Sequence, residues 1–193
     1  MRDEFFCVRW APGRLFLLLV VGIFLPSCTT TTITPEFVQA PTRDYDKVVK
    51  SDIGVADELW EARLPYLRRA LVAKLREDEK FAEVIDPAPN PVPKDAMVIS
   101  GKVTEFDKGD KALRFIIGFG AGRAKAAGLF SIHDAQGMML AQFESRKAYS
   151  GGAGIGGFDM VDMDELMQKL GEETAQSIIR WAKGEPLEPP KND

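Results

Sequence analysis

Cysteine is nearly absent from this chain. It has two in 193 residues, Cys7 and Cys28, and a single histidine, His133. So few thiols and imidazoles leave little material for a disulfide framework, a zinc site or a Cys–His catalytic pair. Positive charge is also short: 25 Lys and Arg stand against 29 Asp and Glu, a net charge of −4. No basic stripe with interleaved aromatics runs along the sequence, which argues against nucleic acid as a partner. A long apolar run is missing as well. Leu15 to Leu25 is uncharged, but Pro26 ends it, well short of the roughly 20 residues that span a bilayer as a helix.

That short run is informative in its context. Arg2, Arg9 and Arg14 precede it and Leu25-Pro26-Ser27-Cys28 follows. A basic start, an apolar middle and a small residue before a cut make a secretory signal. A cysteine directly after the cut resembles a bacterial lipobox, with Pro26 as its one unusual residue. The resemblance implies that residues 1–27 are removed and that Cys28 carries the lipid. It implies a mature chain of 166 residues with a net charge of −5, since three basic and two acidic residues leave with the signal. Cys7 leaves too and Cys28 is consumed, so neither an intrachain disulfide nor thiol chemistry is expected. Thr29, rather than Asp, follows the cysteine. In lipoproteins of this kind that implies sorting to the outer membrane, with the domain facing the periplasm. Two or more acyl chains anchor stably where one does not.

Residues 28–44, rich in Thr with Pro35 and Pro41, read as a lipidated N-terminus and flexible tether. At about 3.3 Å per residue its roughly 16 residues reach at most about 50 Å. Residues 45–183 read as one α/β domain and 184–193 as a loose proline-rich tail. Within the domain, Tyr45 to Val49 is a short strand. Trp60, Leu64, Leu67, Leu71 and Leu75 recur at helical spacing over 57–79, and Pro65 predicts a kink or a fresh helix start near Leu64. Phe81 to Ile85 suits a short strand, and prolines 87, 89, 91 and 93 mark an extended connection. Period-two alternation then predicts strands at 96–106, 123–133 and 138–149, the last with Met139, Ala141, Phe143 and Tyr149 aligned. Asp134-Ala135-Gln136-Gly137 suits a type I turn with a glycine bulge. Asp162 and Glu165 form a capping box for a helix over 163–183, stopped by Gly184 and Pro186. The sum is an α/β (α+β) two-layer sandwich: a mixed sheet of about five strands with two amphipathic helices packed on it.

Gly118-Phe119-Gly120-Ala121-Gly122 has the wrong spacing for a dinucleotide fingerprint and leads into a strand rather than a helix. It reads as an irregular crossing between strands. Phe115, Ile116, Ile117 and Phe119 beside it form an apolar cluster that, if exposed, would mark a partner-binding surface. Gly151 to Gly157, with Ile155 inside it, reads as a flexible loop that could order on a partner. Phe115, Ile117, Phe119 and Ile155 are therefore the candidate partner-binding residues. Asp159, Asp162, Asp164 and Glu165 are explained by capping and the helix dipole, without a metal. His133 flanks a turn without a nucleophile motif around it. No catalytic residue, metal or other cofactor is expected.

The lipobox, the strand and helix order, Gly101-Lys102-Val103-Thr104-Glu105-Phe106, Arg114, the Gly118-to-Gly122 motif and Asp134 to Gly137 together resemble a family of uncharacterised bacterial lipoproteins, a domain of unknown function, over residues 44–183. The element order is also similar to the periplasmic domains of the TolB N-terminal type, the LpoB type of penicillin-binding-protein activator and the curli secretion lipoprotein CsgG. An anchor, a tether and one compact domain lacking a catalytic constellation lead to the expectation of a non-enzymatic, lipid-anchored periplasmic module that binds another cell-envelope protein or itself. The alternative is an oligomeric secretion-channel component with the Phe115-to-Phe130 region entering the membrane; a hydrolase is the least favoured reading.

Overall fold

A computed structural model describes residues 29–109, 124–149 and 162–188. Six strands form one sheet: β1 (Thr29–Val38), β2 (Lys47–Val55), β3 (Glu83–Ile85), β4 (Ala96–Asp107), β5 (Ala124–Asp134) and β6 (Met139–Tyr149). Their order across the sheet is β1-β6-β5-β4-β2-β3. The β1–β6, β6–β5 and β5–β4 pairs are antiparallel, while β2 runs parallel to both β4 and β3. Helices α1 (Leu64–Glu77) and α2 (Met163–Ala182) pack on one face of the sheet and against each other. This is the mixed two-layer α/β sandwich that the hydrophobic periodicities predict, with one strand more than expected.

The extra strand is β1. Residues 29–38 do not hang free as a tether; they pair with β6 from Thr29 opposite Tyr149 to Val38 opposite Ala141. The physical reason lies in side-chain shape. Thr and Ile are β-branched and favour the extended backbone, and five of the first six residues here are Thr with Ile33 between them. Pro35 sits beside a register shift on an outer strand, where a missing N–H costs no ladder bond.

Local rules account for most other boundaries. A 3₁₀ turn over Glu58–Arg63 precedes α1, and Asp57 caps that turn by accepting from Leu59 N. Pro65 falls in the first turn of α1, where its lost N–H is tolerated. Asp162 Oδ1 accepts from the backbone N–H of Asp164 and Glu165 at the head of α2. At its foot Gly184 has φ +77°, and Glu185 N donates to Arg180 O while Gly184 N donates to Trp181 O, a Schellman closure. The tail begins ordered: Leu187 is buried in the core rather than loose. The β5–β6 turn is also as predicted, with Gly137 N donating to Asp134 O (3.0 Å) and Gly137 at φ +87°.

Two irregularities reset which side chains face the core. In β6 the register shifts so that Ile132 opposes Ala141 while His133 opposes Met139. Leu140 is the extra residue; it is buried and Met139 turns outward, against the simple alternation. In β4 the shift between Val103 and Glu105 puts Phe106 beside Trp60, ring centroids 6.2 Å apart.

Close approach explains three glycines. A Cβ on Gly101 would lie 2.5 Å from the Phe130 ring, and one on Gly128 would lie 2.8 Å from it. These two positions make the room that Phe130 fills beside Phe143. Gly171 of α2 sits against the Leu67 carbonyl of α1, where a Cβ would collide with backbone. We therefore expect Gly171→Ala to destabilise the domain. Alanine gains about 1 kcal/mol of helix propensity, but separating two helices to admit a methyl costs about 1–3 kcal/mol. A urea midpoint equal to or above wild type would contradict this packing.

Candidate functional site

Four strand termini meet at one end of the sheet. Thr29 opposes Tyr149, Tyr149 opposes Ala124, and Lys125 opposes Asp107. Cys28 precedes Thr29, and segments 110–123 and 150–161 leave from the neighbouring termini. The predicted lipidation residue Cys28 and the predicted partner-binding residues Phe115, Ile117, Phe119 and Ile155 lie outside the described residues. What the topology does bring together is the attachment points of all three segments.

The same end is closed by the helix N-termini. Arg63 Nε lies 3.3 Å from Asp164 Oδ1, joining the start of α1 to the start of α2, and the Arg63 guanidinium stands 5.9 Å from the Phe106 ring centroid. Just inside this end, Lys147 of β6 points into the core-facing side and is only 5% exposed. Its Nζ donates to Thr31 Oγ1 of β1 (2.6 Å) and to Glu173 Oε1 of α2 (2.9 Å). Burying an ammonium is costly unless it is paired and hydrogen-bonded, and both conditions are met here. The neighbouring Ser145 Oγ, fully buried, has no hydrogen-bond partner among the described residues.

On the face of the sheet away from α1 and α2, Glu105 bridges two strands. Lys125 Nζ donates to Glu105 Oε1 (3.1 Å), Arg146 Nη1 donates to Glu105 Oε2, and Arg146 Nη2 donates to Glu144 Oε1 (3.0 Å). Burial pushes the Glu105 carboxyl up, but the hydrogen bonds and charges of Lys125 and Arg146 outweigh it and hold the group below its ordinary value. Desolvation likewise lowers Arg146, and its two carboxylate partners more than reverse this.

Other predicted or weighed residues are spread apart. His133 is half-buried in β5 beside the turn. Asp162 caps α2 and Asp164 pairs with Arg63. Among the described residues, no group of three or more His, Cys, Asp or Glu could hold a metal ion. Among them also, no helix is long and apolar enough to cross a membrane. Sequence reasoning missed Lys147, Glu173, Glu105 and Arg146. A signal for Lys147 existed: it continues the inward phase of Ala141, Phe143 and Ser145, and a charge in that phase requires a buried partner.

Residues 60–153 match a family model described as Domain of unknown function (DUF4410). This agrees with the expected likeness to a domain of unknown function, over a shorter stretch than 44–183. No curated protein matches the chain. Among solved structures, the chain is similar to the PelC dodecamer from Paraburkholderia phytofirmans, at 14% identity and a TM-score of 0.46, covering 82% of this chain and 99% of that one. A leucine-to-methionine variant of the same dodecamer aligns at 16% identity and a TM-score of 0.42, covering 75% and 95%.

The Glu105 cluster has a defined pH signature. Its carboxyl titrates lower in the folded than in the unfolded chain, so its stabilisation is present above an unfolded value of about 4.3 and is lost as pH falls through the lower folded value. Thermal midpoints between pH 7 and pH 3 should show Glu105→Gln below wild type at pH 7 and converging with it in acid. Parallel curves would exclude this role.

Proposed function

We propose that this chain is a lipid-anchored, non-enzymatic module of the bacterial cell envelope that binds another envelope protein or a second copy of itself. The observation that carries the reading is the start of β1 one residue after Cys28. Lipid on Cys28 would then seat the Thr29 end of the sheet at the bilayer, without the reach of a long tether. The outer membrane, with the domain in the periplasm, is the location the lipobox and Thr29 favour.

The opposite end supplies a surface for a partner. Phe37 and Val38 at the distal end of β1, Met139 at the start of β6 and Met138 just before it are four of the five exposed large apolar residues described. Apolar side chains gathered at one place on a charged domain mark contact surfaces. β1 is also an outer strand whose second edge is unpaired among the described residues, and such an edge can accept another strand.

A second reading is favoured by the other end. Because segments 110–123 and 150–161 are attached beside Thr29, an anchored protein would hold the attachment points of these segments, whose sequence includes Phe115, Ile117, Phe119 and Ile155, near the bilayer. An oligomeric secretion-channel component would use them there. Fractionation of Cys28→Ala decides the anchor: the variant should leave the membrane pellet, and retention there would contradict lipidation. Photo-crosslinkers at Phe119, Ile155, Val38 and Met139 separate the readings. Adducts from the distal pair to protein support the module; adducts from Phe119 and Ile155 to lipid, with a detergent-extracted oligomer, support the channel. A monomer without adducts from either pair would contradict both.

A further inference from the structure

We propose that the groove between α1 and the β2–β3 edge binds an oxyanion, a phosphate or carboxylate group of a soluble ligand, through Arg68, Arg69, Arg76 and Lys50. The inference is independent of the anchor and of any partner at the sheet ends.

The groove has a volume of about 360 Å³ and is floored by Pro65, Val72 and Ala73. Pro65, Arg69, Val72 and Arg76 are spaced four, three and four apart, so they form one stripe along α1. Lys50 approaches from β2, opposite Ile99 in register. Four cations thus line a groove with Asp86 as its one lining carboxylate among the described residues, in a chain whose net charge is −4.

The existing partners leave much of this charge unanswered. Asp86 is taken by Lys50, at 3.0 Å. Asp52 lies 3.7 Å from Arg68, but its side chain is 93% exposed, where water and salt screen the pair. Arg69 Nε donates to Pro65 O (3.3 Å) and Arg76 Nη2 donates to Val84 O (3.4 Å). Neither guanidinium has a carboxylate within 4 Å among the described residues. Each has five donors, so most remain available.

Arg68 is also held in place. Its Nε donates to Ile53 O at 3.1 Å and its Nη2 bonds the same carbonyl. A pinned guanidinium plane presents its remaining donors as a fixed fork, the geometry that suits carboxylate and phosphate. Arg69 and Arg76 are seven residues apart, about 10 Å along the helix. A ligand with two anionic groups, or a short anionic chain, therefore fits better than a single small ion.

The test uses the full chain in detergent, titrated calorimetrically with pyrophosphate and with an oligoglucuronate, against chloride at matched ionic strength. At least one probe should bind and raise the thermal midpoint beyond the chloride control. Which probe binds tells phosphate from carboxylate. The Arg69→Gln/Arg76→Gln double variant should weaken binding tenfold or more while melting no lower than wild type in chloride, because it removes like-charge repulsion. Lys94→Gln, outside the groove, should bind as wild type. Should the double variant not fold, each single variant should weaken binding several-fold. Absence of binding by both probes, or equal binding by the Arg variants, overturns the proposal.

Discussion

The pairing of β1 with β6 is the interaction on which the rest of this structure depends. A ten-residue strand with Ile33 as its one well-buried side chain gains little from hydrophobic burial. Its place is secured by the backbone ladder and by Lys147, which ties Thr31 to Glu173 and so ties the outer strand to α2 through the core. Trp181 makes the matching connection at the far end, its Nε1 donating to Gln39 O (2.8 Å) while its ring stacks on Tyr45. One helix therefore clasps both ends of the strand. That arrangement converts the N-terminal stretch from a spacer into part of the domain, and it fixes the direction in which an anchor at Cys28 would hold the sheet.

The elements legible from sequence were those whose signal is local. Pro65 announced a helix start, Asp162 and Gly184 bounded α2, and Asp134 to Gly137 specified a turn, because each acts through its own backbone. What escaped was set by partners distant in sequence. Residues 29–38 are mostly polar with Ile33 as the one core-facing apolar side chain described, so no amphipathic alternation betrays them; only β-branching did. Leu140 and Met139 exchanged roles because a bulge is decided by the opposing strand. The ion pairs of Lys147 and Glu105 join residues 26 and 20 or more positions apart, beyond the reach of any periodicity.

The face of the sheet away from α1 and α2 bears on where function can reside. A two-layer sandwich leaves one face without helices, and an apolar face there would demand a partner. Here Glu105 and Arg146 flank Ala127 in register and bond across it, and Ala127 is fully buried beneath an open polar surface. Lys125 and Glu144 complete a balanced set of two cations and two carboxylates. Long stems cover the apolar floor while their charges neutralise one another, so this cluster is satisfied among the described residues. On the proposed function, recognition falls to places where the described residues leave a group unanswered. The distal ends of β1 and β6 leave apolar area, and the α1 groove leaves guanidinium donors. Because these regions differ in chemistry and lie on different edges of the sheet, the proposed envelope partner and the proposed anion need not compete.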